Sequence, residues 1–299
     1  MSSAVDSDPA SKPYSAPAVI PSERRPARVR IIVPHTGWLA VDFAELWRYR
    51  GVLAFLARRD LKVRYAQTAL GALWAVFQPV MPTVIFTVVF GLLGKMPSDG
   101  APYSLFVLTA LVAWTYFASA VLGATNSLIA YPELVTKVYF PRLALPVSSL
   151  LAVLVDFGLG LIVLLAVMLA YRVVPRPQAV LLVPLLVADM VIAAAGTGCW
   201  LAALSARYRD VKHVTPVLLQ VLMYGSPVVY PLSLIPSSYR LVYAINPMVG
   251  VIEGLRYALL GTHLVDPTAI TVSVGVSVLL FVSGILYFRR TERVFADFV

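Results

Sequence analysis

Three carboxylates interrupt stretches of sequence that are otherwise apolar: Asp156, Asp189 and Glu253. An acid in such surroundings is costly unless it is paired, hydrogen-bonded or functional. A transferase working on a polyprenyl lipid would need carboxylates clustered to bind a metal or supply a base. These three are scattered, with no Asp-x-Asp and no Glu/His cluster, and His35, His213 and His263 lie far apart without ligand spacing. Asp156 and Asp189 stay open between a hydrogen bond to a neighbouring helix and a functional role, Asp156 being the one that a proton-coupled transporter would use as its carrier. Glu253 is followed three residues later by Arg256, a helical spacing at which the two can pair. The lone cysteine, Cys199, allows no intramolecular disulfide and reads as a small packing residue. Gly94-Lys95 is the nearest approach to a phosphate-cradling loop, but Val89 stands where the first glycine should be and Met96 where a hydroxyl is needed. The chain therefore cannot hydrolyse ATP by that route.

Two further groups of residues suit binding rather than catalysis. Between Phe43 and Tyr65, Leu46, Trp47, Val52, Phe55 and Leu56 alternate at spacings of three and four with Arg48, Arg50, Arg58, Arg59, Lys62 and Arg64. That pattern predicts an amphipathic helix lying in a membrane interface, its cations near anionic headgroups, although a plain anchor would look the same. Aromatic side chains stack on sugar rings and also form interfacial belts. Trp74, Phe77, Phe86, Phe90, Phe106, Trp114, Tyr116, Phe117, Tyr224 and Tyr230 supply them within the apolar runs.

The elements that must position these residues follow from composition. The 299 residues are 60% hydrophobic and 13% charged, with a mean hydropathy of +0.83. Apolar runs over 69–93, 105–130, 143–171, 179–205, 214–232 and 270–288 each approach the roughly 20 residues that cross about 30 Å of hydrocarbon. An all-α integral membrane protein with six spans is expected; barrel strands would alternate over about ten residues. Residues 1–34, rich in Ser, Pro, Ala and Arg, read as a disordered tail without a cleavable leader. With six spans, 19 of the 24 Lys and Arg fall on one side, so both termini are expected in the cytoplasm. The net charge of +9 reads as this bias rather than a nucleic-acid surface.

Between the fifth and sixth runs, residues 233–263 include INPMVGVIEGLRYALLG. A further crossing there would put the C-terminal arginines outside. Two short helices split near Asn246-Pro247 and dipping back from the external side fit better. Irregular backbone at that depth requires protein or a water-filled cavity around it. The loop 131–142, YPELVTKVYFPR, is bounded by Pro132 and Pro141 and is too short for a stable isolated helix, so it suits docking as well as simple connection.

The runs LWRYRGVLAFLARRDLKVRYAQTALGALWAVFQP, LVTKVYFPR, SARYRDVKHV, SPVVYP, INPM, GVIEGLRYALLG and LYFRRTERVFADFV, in this order over residues 40–299, resemble the membrane subunit of ABC-2 type polysaccharide exporters. The resemblance implies a transmembrane domain over 35–299 and a homodimeric permease with six spans per copy, lying in a bacterial inner membrane. It also implies a separate ATPase subunit that uses ATP and Mg, this chain holding neither cofactor nor metal. Residues 43–65 then match the family's interface helix, with Arg58, Arg59, Lys62 and Arg64 as candidates for meeting a lipid-linked glycan's headgroup. The 131–142 loop matches its coupling element, making Glu133, Lys137 and Arg142 candidate ATPase contacts, with Arg207, Arg209 and Asp210 in the second turn. Trp114, Tyr116, Phe117 and Tyr224 become candidates for the channel lining, and Asn246, Pro247, Glu253 and Arg256 for its external gate. Alternatives remain an ABC-2 exporter of a small molecule or lipid, a proton-coupled transporter using Asp156, and a polyprenyl-lipid transferase.

Overall fold

A computed structural model describes residues 43–130 (except 67, 69, 70 and 72), 140–263 and 266–292. The expected tail and most of the 131–142 loop lie outside these. The described chain is helical throughout, without strands. It comprises α1 (Phe43–Arg48), α2 (Arg50–Tyr65), α3 (Leu73–Phe86, continuing as a π-helical stretch over Thr87–Leu93), α4 (Tyr103–Ala130) and α5 (Ala144–Ala170). There follow α6 (Ala179–Arg207), α7 (Val211–Tyr224), α8 (Ser237–Tyr243), α9 (Pro247–Leu260) and α10 (Pro267–Glu292).

Five helices, α3 with its extension, α4, α5, α6 and α10, are long and apolar enough to cross a membrane. The expected fifth span over 214–232 is not a continuous helix: α7 stops at Tyr224, and its 14 residues reach only about 21 Å. Hydropathy continues through Gly225–Leu232, but the backbone turns irregular there. The amphipathic segment is likewise broken, at Tyr49, between α1 and α2.

Helix α4 forms the axis of the bundle, packed by α3, α5, α6, α7 and α9. Lipid tails are as apolar as leucine, so such packing depends on close backbone approach over small residues. Gly198 lies against Ala124, where an added methyl would come within 2.7 Å. Ser205 donates to the Thr125 carbonyl at 2.6 Å. Helices α6 and α10 cross at Gly196 and Gly284, where a Cβ at either would overlap the other helix's backbone. Beside the crossing, Trp200 stacks on Tyr287 at 4.1 Å between centroids and donates to Ser283 Oγ at 3.1 Å. Helix α3 is the loosest member. Its interior prolines, Pro79 and Pro82, remove ladder donors, and only 11% of its most apolar window is buried, against 78% in α4.

The two ends of the bundle are built differently. At one, Leu53 and Leu56 of α2 pack with Phe140, Leu143, Ala206 and Phe288. At the other, the turns around Asp99, Tyr171, Arg176 and Gly261 meet: Ser104 Oγ donates to the Tyr171 hydroxyl at 3.0 Å, and Arg176 donates to the Gly261 carbonyl at 2.7 Å.

Candidate functional site

Among the described residues, the most densely bonded polar group sits on α9. Asn246 caps its start, Oδ1 accepting from the Met248 amide at 3.1 Å, and Pro247 occupies the first turn, where a missing N–H is harmless. Gly261 ends it in the left-handed conformation at φ 73°. Gly250 lets α9 close on Ser273 of α10, and Gly254 lets it close on Leu186 of α6. Near its centre Arg256 is 1% exposed and Glu253 5%. The guanidinium donates to Glu253 Oε1 at 3.1 Å, to the Phe106 carbonyl at 3.1 Å and to the Val228 carbonyl at 2.9 Å. It also lies 3.3 Å from the centroid of the Phe106 ring. One arginine thus joins α9, the head of α4 and the irregular segment after α7. The expected split at Asn246 and the expected Glu253–Arg256 pair are both present; the Phe106 and Val228 carbonyls carry no sequence signal.

Asn246 also marks a crossing point of the chain. Its Nδ2 donates to Ser226 Oγ at 2.7 Å, so α9 starts where α7 has just ended. The intervening excursion reaches the loop end, where Ser233 Oγ bonds Asp99 at 2.8 Å and Tyr103 donates to the Val229 carbonyl at 2.7 Å. It then returns through α8. Ser273, six residues into α10, donates to the Ala244 carbonyl at 3.0 Å, which puts this return about 9 Å inside the helix end. Outside this knot an open cleft is lined by Leu222, Gly225, Pro236, Tyr239, Val242, Tyr243, Ile245 and Asn246. Tyr224 is exposed beside it.

The other expected lining residues lie elsewhere. Trp114, Tyr116 and Phe117 are 4%, 2% and 1% exposed within the protomer, with Tyr116 edge-on to Phe157. They present no surface to a passage, because the face of α4 carrying them is covered by its neighbours. A uniformly apolar helix offers no period from which that face could be read.

Among the expected headgroup cations, Arg58 and Lys62 are exposed, Arg59 pairs with Asp60 at 3.1 Å, and Arg64 is bonded to Asp156. Tyr65 donates to the other oxygen of the same carboxylate. Burial, reinforced by that carboxylate, pushes the Tyr65 hydroxyl above its ordinary pKa. Arg207, Arg209 and Asp210 are exposed in the turn between α6 and α7. Arg142 instead bonds the end of α10, donating to the Glu292 carbonyl at 2.6 Å. Glu133 and Lys137 lie outside the described residues.

Asp189 is buried against α10 near Ser277, its oxygens without a hydrogen bond of normal geometry among the described residues.

These features define a multi-pass helical membrane protein whose polar chemistry is gathered at a broken helix and at the foot of α2. The ABC-2 type transporter family model matches residues 52–260, and the chain belongs to that family. It is 31% identical over 85% of its length, and 97% of the relative's, to the O-antigen export system permease protein RfbA of Myxococcus xanthus. It is 26% identical over 82% of its length, and 94% of the relative's, to the protein of the same name from Klebsiella pneumoniae. With the polysialic acid transport protein KpsM of Escherichia coli it shares 24% identity over 78% of its length and 91% of the relative's.

Proposed function

We propose that this chain is the permease subunit of an ATP-driven exporter that moves a lipid-linked polysaccharide across a bacterial inner membrane. Two copies would form the passage, and a separate ABC ATPase under each would supply the energy. The observation that carries the passage is the backbone between α7 and α9. Irregular backbone is not tolerated against lipid tails and persists only beside protein or water. Gly225, Ile245 and Asn246 line an open cleft on the protomer surface, so a second copy or an aqueous path belongs there. Tyr224, Tyr239 and Tyr243 at this face offer rings for sugars to stack on. The relatives' names supply the polymer class.

In this reading the α2 end is cytoplasmic, as are both termini. Helix α7 and the irregular segment after it, which reaches the Asp99 end at Val229 and Ser233, together make the sixth crossing, and α8 with α9 forms the re-entrant pair. The Glu253–Arg256 lock fixes α9 as the wall of the external gate, with Asn246 and Pro247 at its inner tip. Arg207, Arg209 and Asp210 join Glu133 and Lys137 in facing the ATPase, while Arg142 secures the base of that loop to α10. The cations of α2 face the substrate's headgroup.

The test is disruption of the gene with complementation. Surface polysaccharide should disappear and its lipid-linked form accumulate in the cytoplasmic leaflet, a wild-type copy reversing both. Unchanged surface polysaccharide, with loss of tolerance to a small toxic compound instead, would overturn this reading in favour of a small-molecule exporter.

A further inference from the structure

The node at the end of α2 is built for more than anchoring. Asp156 is a carboxylate on an apolar helix, its side chain 10% exposed, whereas that of Arg64 is 36% exposed. Asp156 accepts from Arg64 with one oxygen and from Tyr65 with the other. Only Nη1 of Arg64 is engaged among the described residues, which leaves guanidinium donors on its open side. Two and six residues back along α2, Lys62 and Arg58 are exposed and have no acidic partner among the described residues. The clamp therefore holds one cation of a group whose remaining charge is unanswered. Behind Asp156 a narrow cleft runs between α3, α4 and α5, bordered by Gln78, Thr115, Ser119 and Tyr116. The Tyr116 hydroxyl is fully buried and has no hydrogen-bond partner among the described residues. The next element in the chain is α3, the least packed span.

We propose that Asp156 is a resident anion that the phosphate of a polyprenyl diphosphate headgroup displaces from Arg64, and that this exchange frees the end of α2 and the foot of α3. The inference rests on the exporter reading and deepens it by assigning a role to an acid that the family match leaves unexplained. A phosphate offers Arg64 a bidentate partner that a carboxylate shared with Tyr65 does not. Arg58 and Lys62 add attraction for a divalent anion that Asp156 cannot match. When Arg64 leaves, the carboxylate keeps Tyr65, and the cleft beyond it holds hydroxyls able to bond it. A substrate without the anionic headgroup has nothing to exchange for Asp156 and leaves the clamp closed.

The sign of one substitution separates this from a structural ion pair. The purified protein is placed in phosphatidylcholine nanodiscs, and binding of polyprenyl diphosphate is measured. Asp156→Asn should bind it about tenfold more tightly than wild type, the worth of one charge-assisted hydrogen bond no longer in competition. Arg64→Ala should lose most of the affinity. Equal or weaker binding by Asp156→Asn would overturn the proposal, as would unchanged binding by Arg64→Ala or none by wild type. Soluble inorganic diphosphate is the second arm: it should compete only weakly, and full competition would make the site one for free phosphates instead. A measurement on the otherwise unaltered protein stands even if Asp156→Asn does not assemble. Spin labels at Ala66 and Leu151, both exposed, should move apart on adding polyprenyl diphosphate, and an unchanged distance would refute the exchange. Any of these failures leaves the export reading intact, since that is decided by polymer at the cell surface.

Discussion

A guanidinium buried to 1% exposure must find partners for its protons within the protein, and Arg256 finds them on three different segments. Removing one member of a buried pair leaves the other as an uncompensated charge, a loss of about 3–5 kcal/mol, whereas replacing both is far milder. Arg256→Met should therefore lower the yield and thermal stability of the extracted protein sharply. Glu253→Gln combined with Arg256→Met should recover much of the loss, because no lone carboxylate remains. Melting curves of the two variants side by side check this; equal damage would show that the Phe106 and Val228 contacts dominate. The pair itself was legible from its spacing of three. Its partners were not, since a backbone carbonyl 150 positions away leaves no mark on composition or period. The same limit hid Asp156: its carboxylate stood out in the sequence, but Arg64 and Tyr65 reach it only through the packing of α2 on α5.

Among the elements, the crossing of α6 and α10 makes the sharpest demand on a side chain. A methyl at Gly196 would overlap the Leu280–Phe281 backbone, and backbone cannot rotate away as a side chain can. Overpacking of this kind destabilises by about 1–3 kcal/mol. Gly196→Ala should therefore lower the melting temperature, while Gly275→Ala, on α10 with open space around it, should leave it unchanged or raise it slightly. Heating both variants in the same detergent tests the contrast. Such contacts explain which parts of the fold could be read in advance. The five long helices follow from uninterrupted hydropathy and length, and the start of α9 from the break at Asn246-Pro247. The break after Tyr224 was obscured because Val228, Val229 and Leu232 sustain the apolar run while the backbone leaves the helix. The burial of Trp114, Tyr116 and Phe117 was hidden for the opposite reason: α4 is apolar on every face, so sequence could not separate core from surface.

At the scale of the whole molecule, the exposed surfaces fall into two kinds that look alike in hydropathy. Ile162 on α5 is 63% exposed on a regular helix and can face lipid without any unpaired backbone. Val242 and Ile245 are 66% and 59% exposed, but Val242 borders and Ile245 lies within the irregular joint between α8 and α9, where lipid cannot satisfy the backbone. Single cysteines separate these cases cleanly, since the native Cys199 is buried. At Val242 or Ile245, a cysteine should either react with a membrane-impermeant maleimide added from outside or form a cross-linked dimer with a short bifunctional reagent. The first outcome marks water in the passage, and the second marks the facing copy. At Ile162 neither should occur. Labelling at Val242 only from the cytoplasmic side would invert the topology, and silence there under both reagents would mean that lipid covers the joint and that the passage lies elsewhere in the assembly.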